Sequence, residues 1–411
     1  MRILFLHNNF PGQYRRIVAH LRERPDVDMI AGTLATNQQP SPIRRIDYTP
    51  HREPTKGIHP TLVTAERAMI TAGAAFKALH QLKQQGWTPD LVCSHSGWGP
   101  SLFVKELWPD TRLLSLFEWY YRARGSDADF LEGEPVDADA AVRIEAKNIP
   151  ILMDYGAMDW GVSPTEWQRR QFPAHMQPAI TTLHEGVDTS YFAPEPGASF
   201  THGAHTFRLG DEIITYVARG MEPYRGFPQF MQAVAKLQQR RPKLHVFIAG
   251  NDRVAYGAKR KDGKTYREHA LATLDLDLER IHFLGLVSLE KLRAMYRVTA
   301  AHVYLTVPFV LSWSMLETMA TGALVIGSRT PPVEEVISDG DNGLLVDFFD
   351  TDALAARVED VLERRVDAER LRRAARETIV ARYDTATILE RQLALMRSVA
   401  ETGRAPADWA G

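Results

Sequence analysis

Residues 213–226 read Ile213-Ile214-Thr215-Tyr216-Val217-Ala218-Arg219-Gly220-Met221-Glu222-Pro223-Tyr224-Arg225-Gly226, an apolar run that breaks into a basic turn flanked by glycines. The run Ile213–Ala218 predicts a buried strand, and Pro228–Arg240 beyond it predicts a helix. A strand that feeds a helix through a short turn is the repeating unit of parallel α/β sheets. Arg219 and Arg225 then stand at the mouth of the turn, where glycine lets backbone approach a ligand closely. Two guanidiniums so placed suit a diphosphate. The helix dipole mildly disfavours cations at a helix start, so an anionic ligand is the better reason for finding them there than a plain surface position.

The same alternation extends in both directions. Upstream, Ile3–His7 reads as a buried strand, Pro11-Gly12-Gln13 as a turn and Tyr14–Glu23 as a helix. Ala65–Gln85 is a longer helix; Leu91–Ser94, Leu113–Phe117 and Asp159–Ser163 are strands, and Thr165–Phe172 is helical. Downstream, strands are expected at Leu244–Ala249, Ile281–Leu284, Ala301–Leu305 and Ala323–Gly327. Helices are expected at Leu289–Arg297, Ser314–Ala320, Asp352–Val380 and Ala386–Thr402, with a loose tail after Gly403. Tyr191–His205 carries two prolines and no periodicity, which marks a boundary. The fold class is therefore α/β, with two similar halves.

With 411 residues and 45% hydrophobic content, the chain can build two cores. A net charge of -2 argues against nucleic acid as a partner. The single cysteine, Cys93, excludes an internal disulfide and a Cys-rich zinc site. No apolar stretch reaches the ~20 residues of a membrane span, and the start is too short for a signal peptide, so a cytoplasmic location is expected. Arg15, Arg16, Arg22 and Arg24 leave peripheral membrane contact open. The sequence does not set the oligomeric state.

Ser163-Pro164-Thr165, Glu185-Gly186-Val187-Asp188, Arg219 with Glu222 and Arg225-Gly226, His282-Phe283-Leu284-Gly285, Leu316-Glu317-Thr318-Met319-Ala320-Thr321-Gly322 and Gly343-Leu344-Leu345-Val346 follow one another in an order that resembles family-4 retaining glycosyltransferases (group 1 glycosyltransferases). That resemblance implies the GT-B architecture, two Rossmann-like domains facing across a deep cleft. It implies an N-terminal acceptor domain over residues 1–195, with a C-terminal helix within 386–411 packing back on it, and a nucleotide-sugar-binding domain over 206–385. Two positions depart from the pattern. Phe309 stands eight residues before Glu317, where the family usually has a second Glu that meets the donor sugar. Glu118 follows the strand after which many members carry His.

The resemblance and the residue chemistry together give a set of site expectations. Arg219 and Arg225 would stabilise the departing diphosphate. Glu222 falls on the phosphate motif. Glu317 would accept hydrogen bonds from the ribose diol, the alternative being a first-turn Glu favoured by the dipole. Ser312, Trp313 and Ser314 would offer amides to the donor, unless the serines are simply N-caps. Gly12 would bring the first loop to the donor phosphate, or be an ordinary turn glycine. Glu118 is the catalytic-site carboxylate, holding sugar hydroxyls, or else an ion-pair partner of Arg122 or Arg124. His95 is an acceptor or proton-transfer candidate, and His184 and Glu185 are further candidates at the cleft. The Asp127-Ala128-Asp129 and Asp275-Leu276-Asp277 repeats are read as chance, so neither a metal nor a cofactor is expected.

The expected activity is retaining transfer of a sugar from a UDP- or GDP-sugar to a saccharide, lipid-linked or protein acceptor, in surface polysaccharide or glycoconjugate synthesis. A sugar-nucleotide epimerase on the same architecture and a non-catalytic donor-binding scaffold are the alternatives.

Overall fold

The computed structural model describes residues 1–131 and 136–409. The chain divides into one unit of Met1–Asp129, Glu134–Gly186 and Thr385–Gly411, and another of Phe130–Gly133 and Val187–Asp384.

The first unit is built on a parallel sheet of β1 (Arg2–Leu6), β2 (Asp28–Leu34), β3 (Arg44–Tyr48), β4 (Leu91–His95), β5 (Arg112–Leu116), β6 (Trp160–Ser163) and β7 (Ile180–Thr182). Their spatial order is β3-β2-β1-β4-β5-β6-β7. Successive side chains of a strand face opposite sides of a sheet. Ile3 and Phe5 accordingly pack with Cys93 and Leu114 against Leu393 and Met396 of the C-terminal helix Thr385–Thr402. Leu4 and Leu6 face the other way, toward Leu79 and Leu82 of the helix Val63–Gln84. Both faces are covered, as an all-parallel sheet requires.

The second unit opens with an antiparallel hairpin, β8 (Ser199–His202) and β9 (His205–Arg208). Its sheet holds β10 (Ile213–Gly220), β11 (His245–Asn251), β12 (Ile281–Gly285), β13 (Ala301–Tyr304), β14 (Val325–Ser328) and β15 (Leu344–Val346), in the order β12-β11-β10-β13-β14-β15. All its pairings are parallel.

Three expectations need correction. The unit boundary falls at Gly186/Val187 rather than between 195 and 206, because Val187 and Phe192 are buried in the second unit's core, and β8 lies within the stretch read as aperiodic. The helix expected over Asp352–Val380 is two, Thr351–Leu362 and Ala368–Tyr383, separated where Arg364 takes a left-handed φ of 58°. The tail is not loose over the described residues: Trp409 packs against the first core, with the Arg391 guanidinium 4.8 Å from its ring.

In each sheet the chain leaves the central pair of strands in opposite directions, at β1/β4 and at β10/β13. Such switch points are where open α/β sheets bind ligands, beyond the carboxyl ends of the strands. No described helix is long and apolar enough to cross a membrane.

Candidate active site

Beyond β10, the turn Pro223–Arg225 ends on Gly226 at φ 64°, and a Cβ there would lie 2.4 Å from the Cβ of Leu305. Only glycine lets the turn close this tightly on the segment after β13. That closeness delivers Arg225 to its partners. Arg225 is 6% exposed, and its Nη1 donates to the Val310 carbonyl (2.9 Å), Thr306 Oγ1 (2.9 Å) and the Tyr304 hydroxyl (3.3 Å). Its Nε and Nη2 donate to nothing among the described residues, and no carboxylate there pairs with it. The guanidinium also lies 5.5 Å from the Tyr256 ring and 5.9 Å from the Phe309 ring. Arg219, at the end of β10, is exposed and forms no ion pair among the described residues.

Glu222, expected on the phosphate motif, has local backbone partners for one of its oxygens. It is fully buried, and its Oε2 accepts the backbone N–H groups of Ala255 and Tyr256. Burial pushes its carboxyl above the usual range, against the lowering effect of those two amides. Its work is local: it folds the loop after β11 back so that the Tyr256 ring meets Phe309 at 5.1 Å, beside Arg225. Phe309 therefore contributes to an aromatic wall, with Tyr224 5.6 Å away.

The helix Trp313–Ala320 begins beside the same group. Ser312 is its N-cap, accepting from Ser314 N–H at 3.4 Å, and its own N–H donates to the Tyr304 hydroxyl at 2.8 Å. The capping reading of Ser312 thus holds and its amide is occupied, while the Ser314 hydroxyl lies 3.0 Å from that of Ser312. Trp313 is the first helical residue. Glu317 is the fifth, 7% exposed, so it lies past the turn in which the dipole would favour a carboxylate.

The first unit gathers a second group at its own switch point. His7 follows β1, Gln13 sits in the turn Gly12–Tyr14, His95 ends β4 and Glu118 follows β5. The Asn9 N–H donates to His7 Nδ1 (3.0 Å), so the His7 proton is on Nε2, which donates to Gln13 Oε1 (2.8 Å). Gln13 Nε2 donates to Glu118 Oε1 (2.7 Å). On the far side, His95 Nδ1–H donates to the Ser96 carbonyl (2.9 Å), and His95 Nε2 meets Glu118 Oε2 at 3.3 Å. His95 thus joins the string through Glu118 Oε2, as Gln13 joins it through Oε1. Burial alone would raise the Glu118 carboxyl, but the hydrogen bonds from His95 and Gln13 and the charge of His95 hold it below the usual range. Burial brings His7 down to about 3.

Supports for this string are equally specific. His95 stacks on Trp98 with ring centres 3.8 Å apart. Asp154, fully buried, accepts from Gly97 N–H and the Ser101 hydroxyl, both at 2.7 Å, and so fixes the loop after β4; burial pushes its carboxyl up to about 6. Gly12 has φ 46°, and a Cβ there would sit 2.3 Å from His7 Cε1, so this glycine is required by the His7 ring.

His95 and Glu118 open onto a cavity of about 410 Å³, lined also by Asn8, Arg67, Trp98, Trp119, Tyr121 and Lys147. Neither Arg122 nor Arg124 pairs with Glu118; Arg122 Nε donates instead to the Gln171 carbonyl at 2.6 Å. His184 and Glu185 do not join this cavity. His184 accepts Gly186 N–H on Nδ1 (3.0 Å) and is brought down to about 3 by burial, and Glu185 faces a small apolar cavity with Tyr14, Cys93 and Met396. Among the described residues no three His, Cys, Asp or Glu side chains are grouped to hold a metal ion. Asp129 accepts Gly125 N–H within a turn, and Asp277 pairs with Arg280 at 2.6 Å. The sequence reading missed His7, Gln13 and Tyr256.

The model of the "Glycosyl transferase family 4 group" matches residues 25–192, and that of "Glycosyl transferases group 1" matches residues 199–378. The D-inositol 3-phosphate glycosyltransferase of Corynebacterium efficiens is 30% identical over 191 residues, 44% of this chain and 43% of that one. The GDP-mannose-dependent alpha-(1-6)-phosphatidylinositol monomannoside mannosyltransferase of Mycolicibacterium smegmatis is 26% identical over 204 residues, 48% of this chain and 51% of that one. The chain thus matches about half the length of these curated relatives. Anabaena Alr3699/HepE, solved in complex with UDP-glucose, superposes with a TM-score of 0.67 at 14% identity, covering 97% of this chain and 100% of that one, and shows the same GT-B fold.

Proposed function

From a chain that belongs to the group 1 glycosyltransferases, we propose that this protein transfers a sugar from a nucleoside diphosphate sugar to a hydroxyl-bearing acceptor, with retention of configuration. Relatives whose names specify GDP-mannose, or whose structure holds UDP-glucose, support a nucleotide-sugar donor. The observation that carries the reading is Arg225, a buried guanidinium anchored through Nη1 alone, without a carboxylate, at the β10/β13 switch point. Its Nε–Nη2 edge has the fork geometry that pairs with phosphate oxygens.

Negative charge grows on the diphosphate as the glycosidic bond breaks, and Arg225 with the exposed Arg219 would stabilise it without reorganising. Glu317 takes the ribose diol in this reading. The acceptor enters the first unit's cavity, where Glu118 accepts hydrogen bonds from its hydroxyls. Both Glu118 oxygens are already engaged, by Gln13 and His95, which disfavours a covalent role. The leaving phosphate can take the acceptor proton itself.

The test is a thermal-shift panel of UDP- and GDP-sugars on the parent, Arg219→Ala and Arg225→Ala, followed by transfer assays with the stabilising donor. Stabilisation of the parent that both variants lose supports the reading. Equal stabilisation of all three refutes it. A sugar changed without any acceptor would favour an epimerase.

A further inference from the structure

The cavity beyond β4 and β5 carries more information than its size. Its lining includes the Glu118–His95 pair, joined at 3.3 Å. A carboxylate has about four lone-pair sites. Glu118 uses one on Gln13 and one on His95, its side chain keeps 26% of its surface exposed, and it lines the cavity. That leaves acceptor capacity for two hydroxyls. Trp98, Trp119 and Tyr121 supply flat apolar walls of the kind a sugar or cyclic polyol ring packs against.

The charged groups on the walls are not balanced. Arg52 is paired with Glu66 at 2.7 Å. Arg67, on the helix Val63–Gln84, and Lys147, between the helices Ala138–Ala146 and Ile149–Ala157, pair with no carboxylate among the described residues. Glu53, also in the lining, offsets only one of them. Lys147 is held in place: its ammonium lies 5.0 Å from the Tyr121 ring, and Asn148 next to it exchanges two 2.8 Å hydrogen bonds with the Tyr121 backbone. Arg67, Lys147 and Glu118 all line this one cavity of about 410 Å³, which brings both cations and the carboxylate to a single ligand space.

We infer that this cavity binds a polyhydroxylated acceptor that carries a phosphate, with its hydroxyls on Glu118 and its phosphate on Arg67 and Lys147. This rests on the glycosyltransferase reading and names the acceptor class for it. The phosphate belongs either to a free sugar or polyol phosphate or to a phospholipid headgroup that joins phosphate to a polyol; the recognition chemistry is the same.

Trp98 and Trp119 make binding visible by intrinsic fluorescence. The parent chain, Arg67→Glu and Lys147→Glu are titrated with glucose 6-phosphate, glucose and inorganic phosphate. They are also titrated with phosphatidylcholine vesicles with and without phosphatidylinositol. Both substitutions are at exposed positions. The expected result is saturable binding of glucose 6-phosphate, or of the phosphatidylinositol vesicles alone, weakened about ten- to a hundredfold by each charge reversal, since a hydrogen bond to a charged group is worth about 1.5–3 kcal/mol. Response to the soluble phosphate identifies a free acceptor; response only to phosphatidylinositol vesicles identifies a lipid one. Glucose or inorganic phosphate binding as tightly as glucose 6-phosphate overturns the inference. So does binding that both charge reversals leave intact, or no response to any probe. Donor stabilisation by UDP- and GDP-sugars is measured on the same samples. Its persistence in the variants keeps the donor reading separate, and its absence in the parent would condemn that reading independently.

Discussion

Acidification should loosen the two units by calculable and different amounts. His7, His184 and His302 are 2%, 5% and 0% exposed, and burial brings each down to about 3 from an unfolded value of 6.5. Below 6.5 the unfolded chain takes up protons that the folded chain refuses, so stability falls as pH falls, until the folded groups themselves titrate. One proton withheld across one pH unit is worth about 1.36 kcal/mol, so each histidine costs about 2 kcal/mol between pH 7 and pH 5. Asp154 acts in the opposite sense. Its carboxyl, raised to about 6 from 3.8, binds a proton in the folded state first, and restores about 1 kcal/mol over the same interval. His7, His184 and Asp154 belong to the first unit and His302 to the second. The first unit should therefore lose about 3 kcal/mol and the second about 2, against a typical domain stability of about 5–15 kcal/mol. His282, brought to about 4 and partly exposed, adds to the second loss, and Glu222, whose buried carboxyl stands above the usual range, offsets part of it. Urea unfolding at pH 7, 6 and 5, with the two units resolved as separate transitions, reads these slopes directly. His302→Gln should flatten the second unit's slope alone. A change under about 1 kcal/mol in both units, or a slope in His302→Gln equal to the parent's, would refute the reasoning.

Three further outcomes follow from the site geometry. Arg219→Ala and Arg225→Ala should each lower kcat/KM about 100- to 1000-fold, but only Arg225→Ala should also lower Tm, because only Arg225 holds Thr306, Val310 and Tyr304 together; equal Tm losses would place Arg219 in the fold rather than the site. Gln13→Leu removes a hydrogen bond that lowers the Glu118 carboxyl, so the acid limb of the kcat/KM profile should move to higher pH, and an unmoved limb would remove Glu118 from the rate-controlling ionisations. Gly12→Ala must both abandon φ 46° and displace the His7 ring; it should cost about 1–3 kcal/mol of first-unit stability and lower transfer activity, and a variant matching the parent in both would show that His7 is free to move.

Sequence was a good guide where one segment determined its own structure. β1 and β4 are apolar on both faces, and the run at Ile213 continues into its arginine turn within a dozen residues, so strand, turn and basic pair were legible together. β2 and β3 were not: Asp28–Leu34 carries Gly32 and Thr33 near its end, and Arg44–Tyr48 is mostly charged. The hairpin β8–β9 hid for the same reason, its prolines nearby and its polar residues dominating the apolar Phe200 and Phe207. Site residues divided along another line. Arg225 and Glu118 were singled out from their positions after strands, but spacing says where a side chain starts and not which way it turns. Glu222 shares the arginine turn, yet its carboxylate points into the unit and binds the loop after β11. The partnership of Gln13 with Glu118 spans 105 residues and follows only from β1 and β5 flanking β4 in one sheet. Nothing local to Gln13 announces it.

An arginine without an acidic partner is not by itself a binding group, as the half-buried Arg376 shows. Arg376 Nη1 donates to the carbonyls of Thr189, Phe192 and Ala320, and Nη2 donates to Thr189 as well. Both ends of that fork are occupied by backbone acceptors, and the group ties three segments of the second unit together. Arg297 is also engaged, with Nε on the Ala193 carbonyl and Nη1 on the Glu195 carboxylate. Arg225 differs in geometry as well as in its deeper burial. All its hydrogen bonds leave from one nitrogen, so the segment after β13 fixes the side chain while the Nε–Nη2 edge keeps its donors. Nη1 could not serve a ligand without releasing Val310 and Thr306, and the free edge need release nothing. Anchoring through one nitrogen therefore removes most of the rotamer entropy that a long side chain loses on binding an anion. It also predicts a specific asymmetry: Arg225→Lys keeps the charge but has no second edge, so it should anchor or bind, not both. A lysine variant with parental Tm and parental donor affinity would show that the fork is not what the site uses.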